Sequence, residues 1–256
     1  MGACFLTRAL MALQSEVNKK GKFSFVIPVY NHEQEVCDVI RKALKLKVPV
    51  FVVDDGSTDS TFEKIKKIKK INLLHHKVNT GKGSALMTGW AEASKITDWA
   101  ITIDADGQHN PKDAINLIRA IPDGIRPVMV GIRKGMSGKN VRWTSRFGRK
   151  FSNFWVLLAG GPKMTDSQSG FRIYPLPESM NLNVRSKRFQ FEVEILAKAG
   201  WKKIPIIETP ISVTYQPGEK RVSHYRGFVD FLRNAQTFSR LIIQRIFIPS
   251  FIRKRL

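Results

Sequence analysis

The sequence has few cysteines, few acidic residues and no long uncharged apolar run. Cys4 and Cys37 are the two cysteines among 256 residues, which excludes a disulfide framework and a cysteine-rich metal site and indicates a reducing compartment. Because no run of about 18 uncharged apolar residues occurs, no transmembrane helix is expected. Arg8 interrupts the short apolar run near the N-terminus, so no signal peptide is expected either. These absences predict a cytoplasmic protein.

The shortage of acidic residues gives the chain a strong positive charge. Lysine and arginine number 43 against 21 aspartates and glutamates, for a formal net charge of +22. Such a surface attracts nucleic acid, anionic lipid or phosphorylated substrates. Composition alone favours nucleic acid, whereas the motifs below favour a phosphorylated substrate.

Strand-like and helix-like segments alternate along the chain between Phe23 and Ile132. Apolar runs rich in β-branched residues are separated by stretches with apolar residues at helical spacing. This alternation predicts βαβ units, and therefore an α/β fold with a Rossmann-like, mostly parallel sheet flanked by helices. Ligands of such sheets bind beyond the carboxyl ends of the strands. The predicted strands are residues 23–29, 50–53, 71–74, 99–103 and 127–132.

Two carboxylates, Asp104 and Asp106, follow the fourth predicted strand. In extended chain they point the same way and repel each other unless a cation lies between them. Mg²⁺ or Mn²⁺ suits these oxygens, and the Gln108 carbonyl is a candidate third ligand. An acidic, solvated turn is the alternative. An EF-hand is excluded, because its glycine belongs two positions after Gly107 and its glutamate would fall at Ile115.

Further polar groups lie where other predicted strands end. Asn31 and Glu33 follow the first strand, and Asp54 and Asp55 follow the second. Their carboxylates can accept hydrogen bonds from a base or a ribose, or they are simply turn and cap residues. Lys82 lies between two glycines, where its ammonium and the backbone suit a phosphate; a plain loop is the alternative.

Together these motifs resemble the family 2 glycosyltransferases. The segment Asp166-Ser-Gln-Ser-Gly-Phe-Arg172 narrows the resemblance to the dolichol- or polyprenol-phosphate mannosyl- and glucosyltransferases. The resemblance extends from about Phe23 to Arg226 and implies a GT-A fold, a UDP- or GDP-hexose donor and a divalent metal. The motifs are Ile27-Pro-Val-Tyr-Asn31 with Glu33, Asp54-Asp-Gly-Ser-Thr-Asp59, Gly81-Lys-Gly83 and Asp104-Ala-Asp-Gly-Gln-His109.

The resemblance also implies roles for individual residues. Asp104, Asp106 and Gln108 would hold the Mg or Mn ion, which makes the two aspartates catalytic. Asp166 is the candidate general base, with a cap bonded to Ser169 or Gly170 as the alternative. The residues implied to bind the nucleotide sugar are Pro28, Tyr30, Glu33, Asp54, Asp55, Lys82 and Arg221.

Three arginines are implied to bind the acceptor, namely Arg142, Arg146 and Arg172. Guanidinium groups are planar and always charged, which suits recognition of a phosphate. For Arg172, pairing with Glu192 is the alternative.

The predicted organisation is an N-terminal arm (1–22), a GT-A glycosyltransferase domain (23–226) and a basic amphipathic helical tail (227–256). The tail alternates apolar and cationic residues, which is typical of a helix at the surface of an anionic membrane. Packing against the catalytic domain or a partner subunit is the alternative.

These expectations combine into a function. We expect a metal-dependent, inverting enzyme, peripherally associated with the membrane, that moves a hexose from a nucleotide sugar to a polyprenyl phosphate. One alternative is transfer to a sugar hydroxyl in glycan, capsule or cell-envelope assembly. Another is a basic nucleic-acid-binding protein. The chain lacks interleaved stacking aromatics and a recognition motif, so no nucleic-acid partner is expected.

Overall fold

A seven-stranded sheet forms the centre of the part of the chain that the computed structural model describes, namely residues 19–133, 143–213 and 227–253. Within the last two ranges, side chains are described from Gly148 and from Arg233 onward. The strands are β1 (Phe23–Val29), β2 (Val50–Asp54), β3 (Asn72–His75), β4 (Trp99–Thr102), β5 (Val128–Arg133), β6 (Arg172–Pro175) and β7 (Ile206–Ile211).

The sheet is mostly parallel, in the order β3-β2-β1-β4-β6-β5-β7. Strand β6 runs antiparallel to β4 and β5, whereas the other neighbouring strands are parallel. This arrangement confirms the predicted α/β sheet. The helices are α1 (Val36–Leu44), α2 (Thr61–Ile65), α3 (Lys82–Ala93), α4 (Ala114–Arg119), α5 (Trp143–Leu158), α6 (Phe191–Trp201), α7 (Gly227–Phe247) and α8 (Ser250–Arg253).

Alternate residues of β1 enter two apolar clusters. Ile27 packs in the cluster that includes α1 and α4, whereas Val26 packs in the cluster that includes α3 and α6. The whole strand is buried, as expected for a parallel strand covered on both faces. In the second cluster the Trp90 ring lies 4.6 Å from the Tyr174 ring and 5.5 Å from the Phe191 ring, between centroids. These contacts fix α3 and α6 against the sheet, and both helices contribute to the site described below.

Two predicted elements differ from the structure. The sequence predicts a lysine-rich helix through Lys70, but α2 ends at Ile65 and Lys70 has a φ of +67°. Lysines three and four residues apart repel each other along a helix, which disfavours its continuation. The sequence also predicts two strands separated by a proline break between Lys203 and Tyr215, but β7 runs through Pro210. Strand β7 is the last in the sheet, where a proline is tolerated.

Helix α7 packs partly against α5 and α6. Phe238 and Leu241 are buried, and the Phe238 ring stacks 6.0 Å from the Trp155 ring of α5. Arg240 Nη2 donates to Glu194 Oε2 of α6 at 2.7 Å. The part of the tail that contains Phe238, Arg240 and Leu241 therefore packs on the rest of the protein, which is the alternative considered from the sequence. In the described ranges, no helix combines the length and apolar character that crossing a bilayer requires.

The Glu194 carboxylate connects α7 to the loop before α6. It is fully buried and accepts hydrogen bonds from the backbone N–H of Arg185 and from both the N–H and the hydroxyl of Ser186. Burial raises the pKa of Glu194. The hydrogen bonds from Arg240, Ser186 and Arg185 outweigh that effect and lower the pKa below the usual 4.5. The ionised form is therefore the one that holds α7.

We expect Glu194→Gln to lower the free energy of unfolding near pH 7 by roughly 2 kcal/mol, because Arg240 loses its anionic partner. Because the folded-state pKa is lowered, this contribution is present above 4.5 and is lost as the pH falls through the lowered value. Urea denaturation over a pH series should therefore show the difference from wild type shrinking at acidic pH.

Glu178→Gln is the matched control, because Glu178 pairs with Arg126 and is about one-third exposed. We expect this control to cost less than about 1 kcal/mol. A difference between wild type and Glu194→Gln that stayed constant down to the lowest pH would contradict the assignment.

Candidate active site

Asp104 and Asp106 lie in the turn that follows β4, as the sequence predicts. The turn passes through Gly107 at a φ of +72°, and Asp106 Oδ1 accepts the backbone N–H of Gln108 at 3.1 Å. The Asp104 side chain is 30% exposed. The turn therefore has one carboxylate that caps the backbone and one that reaches the neighbouring helices.

The Lys82 ammonium lies between two carboxylates. Its Nζ is 2.5 Å from Asp104 Oδ1 and 2.5 Å from Glu192 Oε1. Lys82 is the first residue of α3 and Glu192 lies in the first turn of α6. The sequence suggests Glu192 only as a partner of Arg172. Its carboxylate instead pairs with Lys82, a contact between residues far apart in sequence that no local pattern reveals.

Charge pairing outweighs burial at this cluster. Burial alone lowers the pKa of Lys82, but Asp104 and Glu192 raise it above its usual value. Burial raises the pKa of Asp104, and Lys82 more than reverses this, so that carboxyl has a lowered pKa. Burial also lowers the pKa of His109, against the opposing charges of Asp104 and Asp106. The cluster therefore holds a charged lysine and a charged aspartate beside a neutral histidine.

The two glycines that flank Lys82 allow close contact with the segment before α6. Gly81 has a φ of +107°, and a Cβ there would lie 2.6 Å from the Lys187 carbonyl oxygen. At Gly83 a Cβ would lie 2.7 Å from Phe191 Cβ. Lys82 therefore begins helix α3, which packs against the residues before and at the start of α6. The alternative of a plain loop is wrong. Backbone N–H groups at a helix N-terminus favour a phosphate.

Asp55 shapes this loop and has little capacity left for a ligand. Its Oδ1 accepts hydrogen bonds from the N–H and hydroxyl of Thr80 and lies 2.7 Å from His76 Nδ1. Its Oδ2 accepts the N–H of Gly81 at 2.7 Å. The predicted nucleotide contact of Asp55 is therefore better described as positioning of the loop that carries Lys82.

One carboxylate oxygen of Asp54 is available to accept a hydrogen bond. Its Oδ2 accepts the N–H of Ser57 at 3.2 Å and lies 2.9 Å from His75 Nδ1. Its Oδ1 is buried and has no hydrogen-bond partner within the described residues. A buried oxygen without a partner is costly unless a ligand supplies a donor. This oxygen suits the predicted nucleoside contact.

The remaining predicted donor contacts lie where β1 and β2 end. The two strands pair in parallel, with Val29 opposite Asp54. Pro28 is buried in β1, and Tyr30 follows the strand in a half-buried position. Glu33 Oε2 accepts the N–H of Ser60 at 3.2 Å. The structure therefore brings these groups to the edge of the sheet at which Asp104 lies.

Asp166 forms an ion pair that the sequence did not suggest. The side chain is buried, and its two oxygens each lie 2.7 Å from a guanidinium nitrogen of Arg133. The side chain therefore pairs with Arg133 and does not form the alternative cap, and its role as a general base stays a prediction. Arg133 ends β5 and Asp166 lies before β6, so the contact depends on the pairing of strands.

Arg172 is buried inside the protein. Its guanidinium donates to the carbonyl oxygens of Ser167, Ser169 and Glu192, and to the Tyr174 hydroxyl. The side chain has no exposed surface, which contradicts the predicted contact with an acceptor. The predicted pairing with Glu192 occurs, but through the backbone carbonyl of that residue. Arg172 positions the turn before β6 and the first turn of α6.

Gly170 lies against the Asp104 side chain. A Cβ at this position would overlap the Asp104 carboxylate, so the glycine in the Ser-Gly-Phe-Arg segment is required by close packing. Arg142 and Arg221 lie outside the described residues, as does the side chain of Arg146, although its backbone is part of α5. The predicted phosphate contacts of these three arginines stay predictions.

The oxygens at the end of β4 fit a hard divalent cation. Asp104, Asp106 and Gln108 offer carboxylate and amide oxygens, which Mg²⁺ and Mn²⁺ prefer. The buried Nδ1 of His109 has no hydrogen-bond partner among the described residues. Across those residues, no group of three or more His, Cys, Asp or Glu side chains is arranged for a metal ion. A cation here therefore needs additional oxygens, such as those of water or of a diphosphate.

Two relatives that are named for their activity are similar in sequence to about three-quarters of this chain. The UDP-N-acetylglucosamine–dolichyl-phosphate N-acetylglucosaminyltransferase of Methanococcus voltae is 31% identical over 212 residues, covering 74% of this chain and 84% of that protein. The dolichol-phosphate mannosyltransferase of Pyrococcus furiosus is 30% identical over 204 residues, covering 75% of this chain and 56% of that protein.

A solved structure and a family model agree with these relatives. Mannosyl-3-phosphoglycerate synthase from Rubrobacter xylanophilus superposes with a TM-score of 0.62 at 14% identity, covering 92% of this chain and 77% of that one. This likeness confirms the predicted GT-A fold. Residues 24–176 match the model of glycosyl transferase family 2. Because this match extends over more than half of the chain, the protein belongs to family 2 of the glycosyltransferases.

Proposed function

We propose that this glycosyltransferase moves a hexose from a UDP- or GDP-sugar to a polyprenyl phosphate, with inversion, at the surface of a membrane. The observation that carries the proposal is the Lys82 ammonium held between Asp104 and Glu192. Asp54 Oδ1 at the end of β2, unpartnered among the residues that the structure describes, supports it. The lipid-phosphate acceptors in the names of the two relatives support the acceptor class.

The donor site follows from charge and hydrogen-bonding capacity. Asp54 Oδ1 accepts a hydrogen bond from the base or ribose, and Tyr30 and Glu33 complete the nucleoside pocket. Lys82 and the first backbone N–H groups of α3 bind the diphosphate, and Arg221 closes over it. Asp104, Asp106 and Gln108 hold Mg²⁺ or Mn²⁺, which when bound neutralises charge on the diphosphate leaving group.

The acceptor site requires cations more than it requires a base. A lipid phosphate is ionised near pH 7, so its oxygen attacks the anomeric carbon as the bond to the diphosphate breaks, and no proton is removed. A sugar hydroxyl needs a carboxylate base within hydrogen-bond reach. Both oxygens of Asp166 are engaged by Arg133, which favours the phosphate over the hydroxyl. Arg142 and Arg146 then hold the acceptor phosphate.

The surface at the ends of α5, α7 and α8 supports membrane association. Large apolar side chains are exposed here beside Arg245 and Arg253. Apolar groups with flanking cations suit the interface of an anionic membrane. This apolar surface consists of Phe154, Leu157, Leu158, Ile243, Ile246, Phe247, Phe251 and Ile252.

The first prediction concerns the metal. Chelation should abolish transfer, and Mn²⁺ or Mg²⁺ should restore it, in an assay of lipid-linked product. Asp106→Asn should lower kcat by about a hundredfold or more, because charge stabilisation by the ion contributes several kcal/mol. Asp38→Asn, an exposed carboxylate paired with Lys42, is the control and should retain activity. Full activity in excess chelator would rule out the metal.

The second prediction distinguishes the two acceptor classes. With a lipid phosphate, Arg142→Ala and Arg146→Ala should each lower kcat/KM by about tenfold to a hundredfold, the contribution of a charge-assisted hydrogen bond. Asp166→Asn should lower kcat less and leave the shape of the pH profile unchanged. Lys150→Ala, which removes an exposed cation of α5, the helix that includes Arg146, is the control for net charge.

The opposite pattern would identify a hydroxyl acceptor. In that case Asp166→Asn lowers kcat by about 10²–10⁴ and removes the pH dependence of a general base. The arginine substitutions then alter only the KM of the acceptor.

The third prediction concerns the apolar surface. Phe247→Ser combined with Phe251→Ser should weaken sedimentation with anionic vesicles by about tenfold or more, since burying one such side chain contributes about 1.5–3 kcal/mol. Both side chains are largely exposed, so the fold should survive. Val78→Ser, which removes an exposed apolar side chain elsewhere, is the control. Equal sedimentation of all three proteins would show that another surface binds the vesicles.

A further inference from the structure

The Lys82 ammonium occupies an oxygen of the carboxylate that is proposed to hold the metal. Nζ lies 2.5 Å from Asp104 Oδ1, and only 15% of the Lys82 side chain is exposed. A divalent cation bound to the same oxygen would repel an ammonium at that distance. Lys82 and a metal ion bound to Oδ1 therefore cannot both keep full contact with that oxygen.

Glu192 offers the ammonium a second partner, and the backbone of that residue is held in place. Its backbone carbonyl accepts Arg172 Nη1 at 2.9 Å, and the adjacent Phe191 packs against Gly83. The Lys82 backbone is confined as well, because its flanking glycines touch the segment before α6. If the Lys82 ammonium leaves Asp104, only its flexible side chain rotates, and the ammonium keeps its contact with Glu192 Oε1.

We propose that Lys82 and the divalent metal compete for the Asp104 carboxylate, and that Glu192 is the positioning residue that retains the ammonium when the metal binds Asp104. The inference rests on the metal-dependent transfer proposed above and describes how that site is regulated. Without metal, Lys82 neutralises the partly exposed Asp104. With metal, the ammonium stays on Glu192 and its remaining hydrogens are free for the donor diphosphate. Metal and donor therefore favour each other's binding.

Mn²⁺ binding to the donor-free protein tests the competition without an activity assay. Free Mn²⁺ is measured by electron paramagnetic resonance as the metal is titrated into protein. Lys82→Met and Lys82→Gln should each bind Mn²⁺ about tenfold more tightly than wild type, because the competing charge is gone. Arg188→Met is the matched control. It removes a cation that contacts the same loop, but its guanidinium donates to Asn79, so the affinity should change by less than about threefold.

Glu192→Gln tests the positioning role. With Lys82 present, losing Glu192 leaves the ammonium dependent on Asp104, so Mn²⁺ should bind about tenfold more weakly than to wild type. In a Lys82→Met background the same substitution should change the affinity little. A metal-ligating Glu192 would instead weaken Mn²⁺ binding in both backgrounds, and that result would overturn the positioning role.

The outcomes separate this inference from the function on which it rests. If wild type, Lys82→Met and Lys82→Gln bind Mn²⁺ equally, the competition is wrong while metal-dependent transfer stands. If no variant binds Mn²⁺, with or without UDP and GDP, the metal-dependent function itself fails. Far-ultraviolet circular dichroism and thermal unfolding identify any variant that has lost its fold, and the second Lys82 variant then decides the test.

Discussion

The ion pairs of Lys82 with Asp104 and Glu192 join three elements that are far apart in sequence. They connect the start of α3, the turn after β4 and the first turn of α6. Removing one partner from a buried set of charges leaves the others uncompensated, at a cost of several kcal/mol. The three charges therefore hold the site together as a unit. Any ligand that breaks one of these ion pairs must supply a charge in its place.

Several residues in the family's motifs keep this unit in place through internal contacts. Arg172 donates to three carbonyl oxygens and one hydroxyl in the interior, and Asp55 accepts the N–H groups of the loop before Lys82. Gly170 leaves space for the Asp104 carboxylate. Such residues shape the site through packing and hydrogen bonds, so their substitution alters geometry before it alters chemistry.

The charge of the chain serves different purposes in different places. Arg133 neutralises the buried Asp166, and Arg240 neutralises the buried Glu194. Arg245 donates to the last carbonyl oxygens of α5 and lies beside exposed apolar side chains. A net charge of +22 therefore includes structural cations as well as cations that face a proposed anionic surface.

The sequence by itself determined the sheet, the family and the turn that carries Asp104 and Asp106, because hydrophobic periodicity and short motifs are local properties. It also placed Asp54 at the end of a strand, whereas only the structure showed that Lys82 begins a helix. Only the tertiary structure decided the partners: Glu192 for Lys82, Arg133 for Asp166, and an interior position for Arg172. A carboxylate and a cation look the same in sequence whether they face solvent or each other. Long-range strand pairing and helix packing select the partner, because a buried charge must find a counter-charge wherever the fold supplies one.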